Sequence, residues 1–416
     1  MPQKESCKLV NELEMIKNIQ HTYQQHILDS RLFELAKESG IIYSKSLEEF
    51  WKVYLETNTW MSSYDLQKYM KDKLVSSRKL LHSDSYLGSL QLVHDNLASW
   101  KEAKKEWTKN PKKFSGEPKP PKKNKFFAPI IFKKSAIHLN NGFLELSLAK
   151  EFRKQPIRIR WSIQKPKYCT IIYDKTKGWF LNCVIEESVF QLELDKTRIM
   201  SVDLGEKRIA TTFDGKNTIM YNGKYLMSLT RLENKIKGKT QTKLSKKKKG
   251  SKNYKNIQRS QRRVSSRLRN KKKDFLHKTS KKIVDNLIIK NIGNIVFGDC
   301  SNIHTETNLG KQNQRIQQNP EQQLRKYISY KFESIGGTAE VVSEHYTTQT
   351  CPKCNNKYKP HDRRYECKKC GFEFDRDGVG AINIWLNNVS LDKTNVVGFL
   401  ADPIGVKYQD CSNVFC

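Results

Sequence analysis

The chain has 416 residues, of which 37% are hydrophobic, and 77 Lys and Arg against 43 Asp and Glu give it a net charge of +34 and a pI near 9.7. The apolar share supports real cores and excludes a disordered chain, while the length allows two to four domains. The charge calls for a polyanionic partner, nucleic acid ahead of an anionic membrane, and no apolar run reaches the roughly 18 residues of a spanning helix.

In chain order, the opening MPQKESCKLVNELEMIKN is charged and lacks an apolar stretch or a small-residue cleavage site, so no secretory or transit peptide is expected. Residues 1 to about 105 read as helical. LVNELEMIKNIQHTYQQHILDSRLFELAKESG spaces its apolar residues three and four apart and stops at Gly40, a plausible C-cap. SLEEFWKVYLE opens on Ser46 with Glu49 three residues later, the pattern of a capping box, and SLQLVHDNLASWKEAKKEW is a further amphipathic stretch. KNPKKFSGEPKPPKKNK, residues 109 to 125, reads as a basic linker. Then the period changes to two. FAPIIF, FLELSL, IRIRW, CTIIYD and WFLNCVIE alternate and are rich in β-branched and aromatic residues, with the turn signal DKTKG between the last two. A small antiparallel sheet or barrel is expected over about 126 to 190.

RIMSVDLGEKRIATTFDG, residues 198 to 215, reads as an apolar strand, an acid, a glycine and a second strand. Residues 231 to 290 carry 23 Lys and Arg against 3 acids. Val264, Leu268, Phe275, Ile283 and Val284 punctuate the second half, which argues for long helices with basic faces that track phosphates. LIIKNIGNIVFGDC is an apolar strand ending at Asp299, LRKYISYKFESIGG a helix with a glycine stop, and AEVVSEHY another strand.

Cys351, Cys354, Cys367 and Cys370 form two C-x-x-C pairs separated by twelve residues. Two tight knuckles aiming four thiolates at one point suit tetrahedral zinc, and four protein ligands leave no open position, so the ion is structural. His361 between the pairs reads as a surface residue. The other six cysteines show no framework spacing, which favours metal binding in a reducing compartment over disulfides. Just beyond the last pair, Asp377 opens DGVGAINIW, where an N-cap is the simplest reading. Asp203 stands at a strand end before Gly205, where a turn residue is the simplest reading. Carboxylates converging from separate elements are also what two-metal phosphodiester hydrolysis needs, with Mg²⁺ or Mn²⁺ as the ions.

SVDLGEKRIATT, HKTSKKIVDNL, NIVFGDC and HYTTQTCPKC…YECKKCGFEFDRDGVGAINI together resemble the TnpB family. These are transposon-encoded, RNA-guided DNA nucleases related to the compact type V CRISPR effectors and to eukaryotic Fanzor proteins. The resemblance runs in order from about 157 to 387 and is most specific around the cysteines; residues 1 to 156 match loosely. It implies an α+β multidomain chain. A helical recognition lobe over 1–125 is packed on or inserted in a β-barrel wedge domain over 126–195. An RNase H-like (RuvC) α/β nuclease domain over 196–346 carries the basic helical segment 231–290. A zinc ribbon over 347–374, a closing RuvC segment over 375–390 and a tail over 391–416, expected to be flexible, complete it.

The resemblance further implies three catalytic acids from three segments. Asp203 matches the first and Asp377 the third, with Asp375 a flanking residue. At the second, the family has Glu at a strand end; here Gly298 stands there and Asp299 follows. Asp299 is one methylene shorter and one residue displaced, so it faces the other side of the strand. Glu344, near the end of the neighbouring strand, is therefore the expected second acid, as in family members that carry an acid just before YTTQT, and Asp299 is the alternative. Asp203, Glu344 and Asp377 are expected to hold catalytic Mg²⁺, with Mn²⁺ able to replace it, and the four cysteines structural Zn²⁺. Guide RNA and target double-stranded DNA are the expected partners, with no membrane and the choice of monomer or dimer open. Lys246, Lys247, Lys248, Lys249, Arg262, Arg263, Arg267, Arg269, Lys271, Lys272 and Lys273 are the expected nucleic-acid contacts. The expected location is the cytoplasm or nucleoid, or the nucleus in a eukaryote. A nuclease-inactive RNA-guided repressor, a DNA transposase and a zinc-ribbon RNA-binding protein are the competing readings; the last leaves the Asp203 segment unexplained.

Overall fold

The computed structural model describes residues 16–71, 73–74, 80–122, 125–152, 154–299, 314, 317–389 and 406–409. Cys7, Cys300, Cys411 and Cys416, and the tail apart from 406–409, lie outside them. Two units divide the chain, one spanning Asn18–Ser188 and the other taking in the residues before Asn18 and those from Val189 onward. Among the described residues no helix is long and apolar enough to cross a membrane.

The first unit joins three helices to two small sheets. Strand β1 (Ile16–His26) was expected to be helical; it is instead the edge of a four-stranded sheet. Its polar residues bind the neighbouring strand, with Gln24 Nε2 donating to Asn182 Oδ1 at 2.9 Å and Tyr23 OH to Glu187 Oε1 at 3.0 Å. Helix α1 (Leu32–Thr57) runs straight through Gly40. A β-carbon at Gly40 would lie 2.6 Å from the carbonyl oxygens of Lys125 and Phe126, so this glycine admits a crossing backbone rather than ending the helix. Ser46 is correspondingly not a cap: it is buried, and its hydroxyl donates to the Ile42 carbonyl at 2.7 Å. The capping box of this region lies at Ser62 and Asp65, opening α2 (Ser63–Met70).

Helix α3 (Ser83–Lys109) and α1 pack Leu35, Phe50, Leu90 and Val93 into one core with Ile130, Phe132, Ile171 and Leu181 of the strands. Those strands are β2 (Ile130–Phe132), β3 (Ile137–Asn140), β4 (Phe143–Leu146), β5 (Ile157–Arg160), β6 (Tyr168–Asp174) and β7 (Gly178–Phe190). The last two form the hairpin signalled by DKTKG, with Gly178 at φ +90°. On it Cys169 and Cys183 are register partners with sulfurs 3.3 Å apart, both free thiols. The expected barrel is not closed among the described residues. The strands form an open sheet ordered β1-β7-β6-β2 and a separate β3-β4-β5 meander. The division follows from β2, only three residues long and ended by a 3-10 turn over Lys134–Ala136 that redirects the chain into the meander.

The second unit is built on a six-stranded sheet ordered β12-β11-β8-β9-β10-β15. β8 (Asp195–Asp203), β9 (Arg208–Phe213) and β10 (Thr218–Asn222) are antiparallel neighbours. β11 (Ile292–Gly298) runs parallel to β8 and to β12 (Thr338–Val342). β15 (Val406–Gln409) comes from the tail and pairs parallel with β10, an element the sequence did not signal. The helices α4 (Lys224–Ser245), α5 (Lys252–Ile289) and α6 (Glu321–Glu333) precede the cysteines. α5 buries Phe275, Ile283, Val284 and Leu287 toward the sheet core and stacks His277 on Tyr327 of α6, ring centroids 4.0 Å apart. The hairpin β13 (Arg364–Glu366) and β14 (Glu373–Asp375) leads into α7 (Arg376–Leu386), which buries the run Gly378–Ile384.

Candidate active site and cysteine cluster

Asp203 ends β8, after the buried run Met200–Val202. α7 is fixed over this strand by two long-range bonds: Ser201 Oγ donates to the Ala381 carbonyl at 2.6 Å, and Trp385 Nε1 to the Ile199 carbonyl at 3.0 Å. A β-carbon at Gly380 would lie 2.4 Å from Asp203 Oδ2, so the carboxylate rests against the helix where only hydrogen fits. Asp377 lies three residues before Gly380 and thus on the same helical face. It is not the N-cap. Asp375 is, its Oδ1 accepting from the Asp377 backbone N–H at 2.9 Å. The Asp377 carboxylate instead pairs with the Arg363 guanidinium beside β13.

Glu344 arrives from the other side. Parallel pairing sets Gly298 opposite Val342, and the chain runs two residues further to Glu344. A turn then closes on it, with Thr347 donating to the Glu344 carbonyl from both N–H (3.2 Å) and Oγ1 (2.9 Å). Asn383 of α7 anchors that turn, its Nδ2 donating to the carbonyls of Thr347 (2.6 Å) and Thr350 (2.7 Å). A β-carbon at Gly298 would stand 2.6 Å from Glu344 Oε2 and 3.0 Å from Ile384 Cδ1. The Glu344 carboxylate therefore fills the space that a side chain on position 298 would use. Asp299 turns elsewhere: its N–H donates to the Val342 carbonyl at 2.8 Å, and Oδ1 faces Arg325 Nη1 at 3.9 Å.

These acids share one field. Burial first, then the charges of Asp377, Glu344 and Glu321, push the Asp203 carboxyl well above the usual carboxylate range, and Arg376 opposes them only in part. Glu321 was missed in the sequence. It is the first residue of α6, 8% exposed, and following Pro320 it reads there as an ordinary first-turn helix acid. An all-oxygen donor set held together against its own repulsion suits a hard divalent cation.

The sulfurs of Cys351, Cys354, Cys367 and Cys370 lie within 4.8 Å of one another. Both knuckles have the same build: a left-handed residue follows the second cysteine, Asn355 (φ 56°) or Gly371 (φ 70°), and donates its N–H back to the carbonyl of the first at 2.9 Å. The thiols are held unequally. Burial pushes Cys351 up to about 12; at Cys367 burial acts in the same direction, but the backbone N–H groups of Cys370 and Lys369 outweigh it and bring the thiol down to about 6. Four such sulfurs can hold a metal such as zinc, and His361 is exposed and outside the cluster.

Of the basic candidates, Lys246, Lys247, Lys248 and Lys249 are exposed in the turn between α4 and α5, and Arg262, Arg263, Arg267, Arg269, Lys271 and Lys273 are exposed on α5. Lys272 differs. It is half-buried and holds Glu233 Oε2 at 2.7 Å, tying α5 to α4.

The "Cas12f1-like, TNB domain" family model matches residues 322–384, and the OrfB_IS605 model, described as "Probable transposase", matches 183–304. In fold, the chain is a mixed α+β multidomain protein similar to a Cas12 effector. A cryo-EM structure of a Cas12f1–sgRNA–target DNA complex aligns with TM-score 0.54 and 15% identity, over 85% of this chain and 81% of that one. By sequence, TnpB-like protein MJ0751 of Methanocaldococcus jannaschii is 30% identical over 195 residues, 45% of this chain and 68% of that protein. The chain belongs to the TnpB family. A Streptomyces pristinaespiralis protein, named provisionally as an RNA-guided DNA endonuclease, is 27% identical over 281 residues, 65% of each chain. The chain thus spans about two thirds of the length of these relatives.

Proposed function

We propose that this protein is an RNA-guided DNA endonuclease with a RuvC-type site in which Asp203, Glu344 and Asp377 carry the chemistry. The observation that supports this reading best is the replacement at the second acid. Gly298 vacates a position beside Asp203, and the Glu344 carboxylate occupies it from the next strand. A carboxylate there adds a third acid to those whose charges act on Asp203, which favours cleavage over the repressor reading.

The strand order of the second unit, three antiparallel strands and two parallel ones with β15 added at the β10 edge, supports an RNase H-like reading of this sheet, and the cysteine cluster with β13 and β14 reads as a zinc ribbon inserted into it. Mg²⁺ bound by the three carboxylates would supply an activated water and stabilise the leaving oxygen of a phosphodiester. The chain's own part is positional. α7 sets Asp377 and the Asp203 contact on one face, the Thr347 turn aims Glu344, and Arg363 holds Asp377 from the ribbon side. Base pairing with a guide RNA would supply sequence specificity, with exposed lysines and arginines of the α4–α5 hairpin tracking RNA phosphates.

The test is purification with co-bound RNA, followed by cleavage of a duplex matched to that RNA in Mg²⁺. Asp203→Ala and Glu344→Ala are each expected to lower the rate at least about 100-fold, from the loss of a metal-holding carboxylate, and Asp299→Ala far less. Full activity of Asp203→Ala removes the RuvC assignment; activity that survives Glu344→Ala and dies with Asp299→Ala moves the second acid. Guide-dependent binding without nicking by the unaltered protein selects the repressor reading.

A further inference from the structure

Thr211 stands on β9 directly opposite Asp203, its register partner across β8 and β9, and opposite Met220 across β9 and β10. Directly opposed residues of antiparallel strands share a face, and α7 covers this one. A β-carbon at Gly380 would meet the Asp203 carboxylate, and one at Gly378 would lie 3.3 Å from Met220 Cε, so the helix lies along the row Asp203–Thr211–Met220. Thr211 is 1% exposed beneath it, and among the described residues its Oγ1 has no hydrogen-bond partner. Ser201, two residues before Asp203 on the same face, has its acceptor in the Ala381 carbonyl at 2.6 Å.

Valine has the shape of threonine and suits a strand equally well, so packing alone gives no reason for a hydroxyl here. Buried without a partner, that hydroxyl is destabilising by its desolvation. The position therefore calls for an acceptor. Phe213, two residues along the strand, has none, and Met220 offers only a weakly accepting thioether; of these three neighbours Asp203 alone carries oxygen. The Cβ atoms of opposed residues stand about 4.5–5.5 Å apart, so rotation about single bonds suffices to bring the hydroxyl to a carboxylate oxygen. We infer that Thr211 is a positioning residue for the proposed cation site: in the cation-bound state its hydroxyl donates to the Asp203 carboxylate and fixes that ligand's orientation. The inference rests on the reading of Asp203, Glu344 and Asp377 as a cation site. An ionised acceptor makes a stronger hydrogen bond than a neutral one, and partners that orient a metal ligand from outside the ligand set govern affinity. Thr211 itself touches neither cation nor substrate and acts through Asp203.

The test is Mn²⁺ titration of the full-length protein with its co-purified RNA, read by electron paramagnetic resonance, on the unaltered chain, T211V, T211S and D203N. The binding that D203N loses defines the site. Valine keeps the shape and deletes the hydroxyl, so T211V should weaken that binding about 10-fold, the lower end for partners of a metal ligand. Serine keeps the hydroxyl, and T211S should bind nearly as the unaltered chain does. The same variants are then melted without added divalent cation. There T211V should unfold at the same temperature or higher, because valine replaces a buried hydroxyl that has no partner in that state. A merely structural threonine gives the reverse pair of results, a lower melting temperature for T211V with Mn²⁺ binding unchanged. Unchanged Mn²⁺ affinity in T211V, a T211S as weak as T211V, or a cation-free T211V that melts lower each overturns the assignment. If D203N binds Mn²⁺ as the unaltered chain does, the cation site itself falls, whereas normal T211V beside a defective D203N removes only the role of Thr211.

Discussion

A β-carbon on residue 298 and the Glu344 carboxylate would occupy the same volume, their separation being 2.6 Å. This exclusion makes a double substitution informative. Gly298→Glu alone should collide with Glu344 and Ile384, destabilise the protein by about 1–3 kcal/mol as overpacked sites do, and cut poorly. Glu344→Ala alone should cut poorly for lack of the acid. The two together should regain at least roughly 10-fold over Glu344→Ala, because a carboxylate returns to the same space from the neighbouring strand; non-additivity of this size is normal for residues in contact. Cleavage rates and urea midpoints of the four proteins check it, and a double variant no better than its parents removes the exchange argument. Asp203 supports a second prediction with a definite sign. Its native pKa lies above the ordinary value of 3.8, so in metal-free protein its contribution to stability is present below that value and is lost as pH rises through the raised native one. Asp203→Asn should therefore raise the melting temperature of the chelator-treated protein at neutral pH, by a few degrees, as about 1 kcal/mol does in a domain of this size, while abolishing cleavage. With cation present the proton must leave, so the Mg²⁺ concentration for half-maximal rate should fall as pH rises through that window. Asp203 and Asp377 stood out in the sequence only through the family resemblance, since a strand end and a helix start alone read as a turn residue and an N-cap; Glu344 was singled out from the gap left at Gly298. Glu321 was not, since the action of its charge on Asp203 arises from tertiary structure that no local pattern records.

At the level of elements, the same distinction explains which expectations failed. The cysteine knuckles could be read directly, because two-residue spacing already dictates a tight turn with both sulfurs on one side. The β6–β7 hairpin could be read because alternation and a glycine turn agree. Gly40 and Ser46 misled, since a glycine that admits the backbone at Lys125 and a serine that bonds its own helix at Ile42 look the same in sequence as a stop and a start. β1 misled because a polar edge strand with one solvent-facing side carries little apolar periodicity. The element that most directly couples the cysteine segment and the acids is α7, and its sequence shows this only through one residue. Asn383 is buried and spends both amide hydrogens on the Thr347 and Thr350 carbonyls, between Glu344 and Cys351. Asn383→Ala leaves two carbonyls without these donors, so a loss of about 2–3 kcal/mol is expected. Because the freed turn carries Glu344 at one end and Cys351 of the four-cysteine cluster at the other, chelator-driven loss of a zinc ion held by that cluster should quicken and cleavage should fall together. Urea unfolding, zinc release to a chromophoric chelator and cleavage rate check this; a stability loss that leaves both other quantities unchanged means the turn does not couple them.

For the molecule as a whole, the excess of 34 positive charges sets the terms of its association with nucleic acid more than any single contact does. The structure separates the basic residues into two groups that composition cannot distinguish. Arg262, Arg263 and Arg267 are exposed or solvent-facing on α5, whereas Lys272 on the same helix is committed to Glu233 of α4. The first group should act through counterion release. Changing all three arginines to glutamine should lower the slope of log affinity against log salt by about 2 to 3, at roughly 0.7–0.9 per phosphate contact, and weaken binding of the co-purified RNA at least about 10-fold at moderate salt. Lys272→Gln should leave that slope nearly unchanged and instead lower the melting temperature, because it removes one side of a partly buried ion pair and leaves Glu233 with the more exposed Lys237 at 2.9 Å. Fluorescence anisotropy across a salt series, set beside thermal unfolding of the same variants, distinguishes the two groups. Equal slopes for the triple variant and the unaltered protein would place the RNA elsewhere on the chain, and a Lys272 variant with a reduced slope would return that residue to the binding surface.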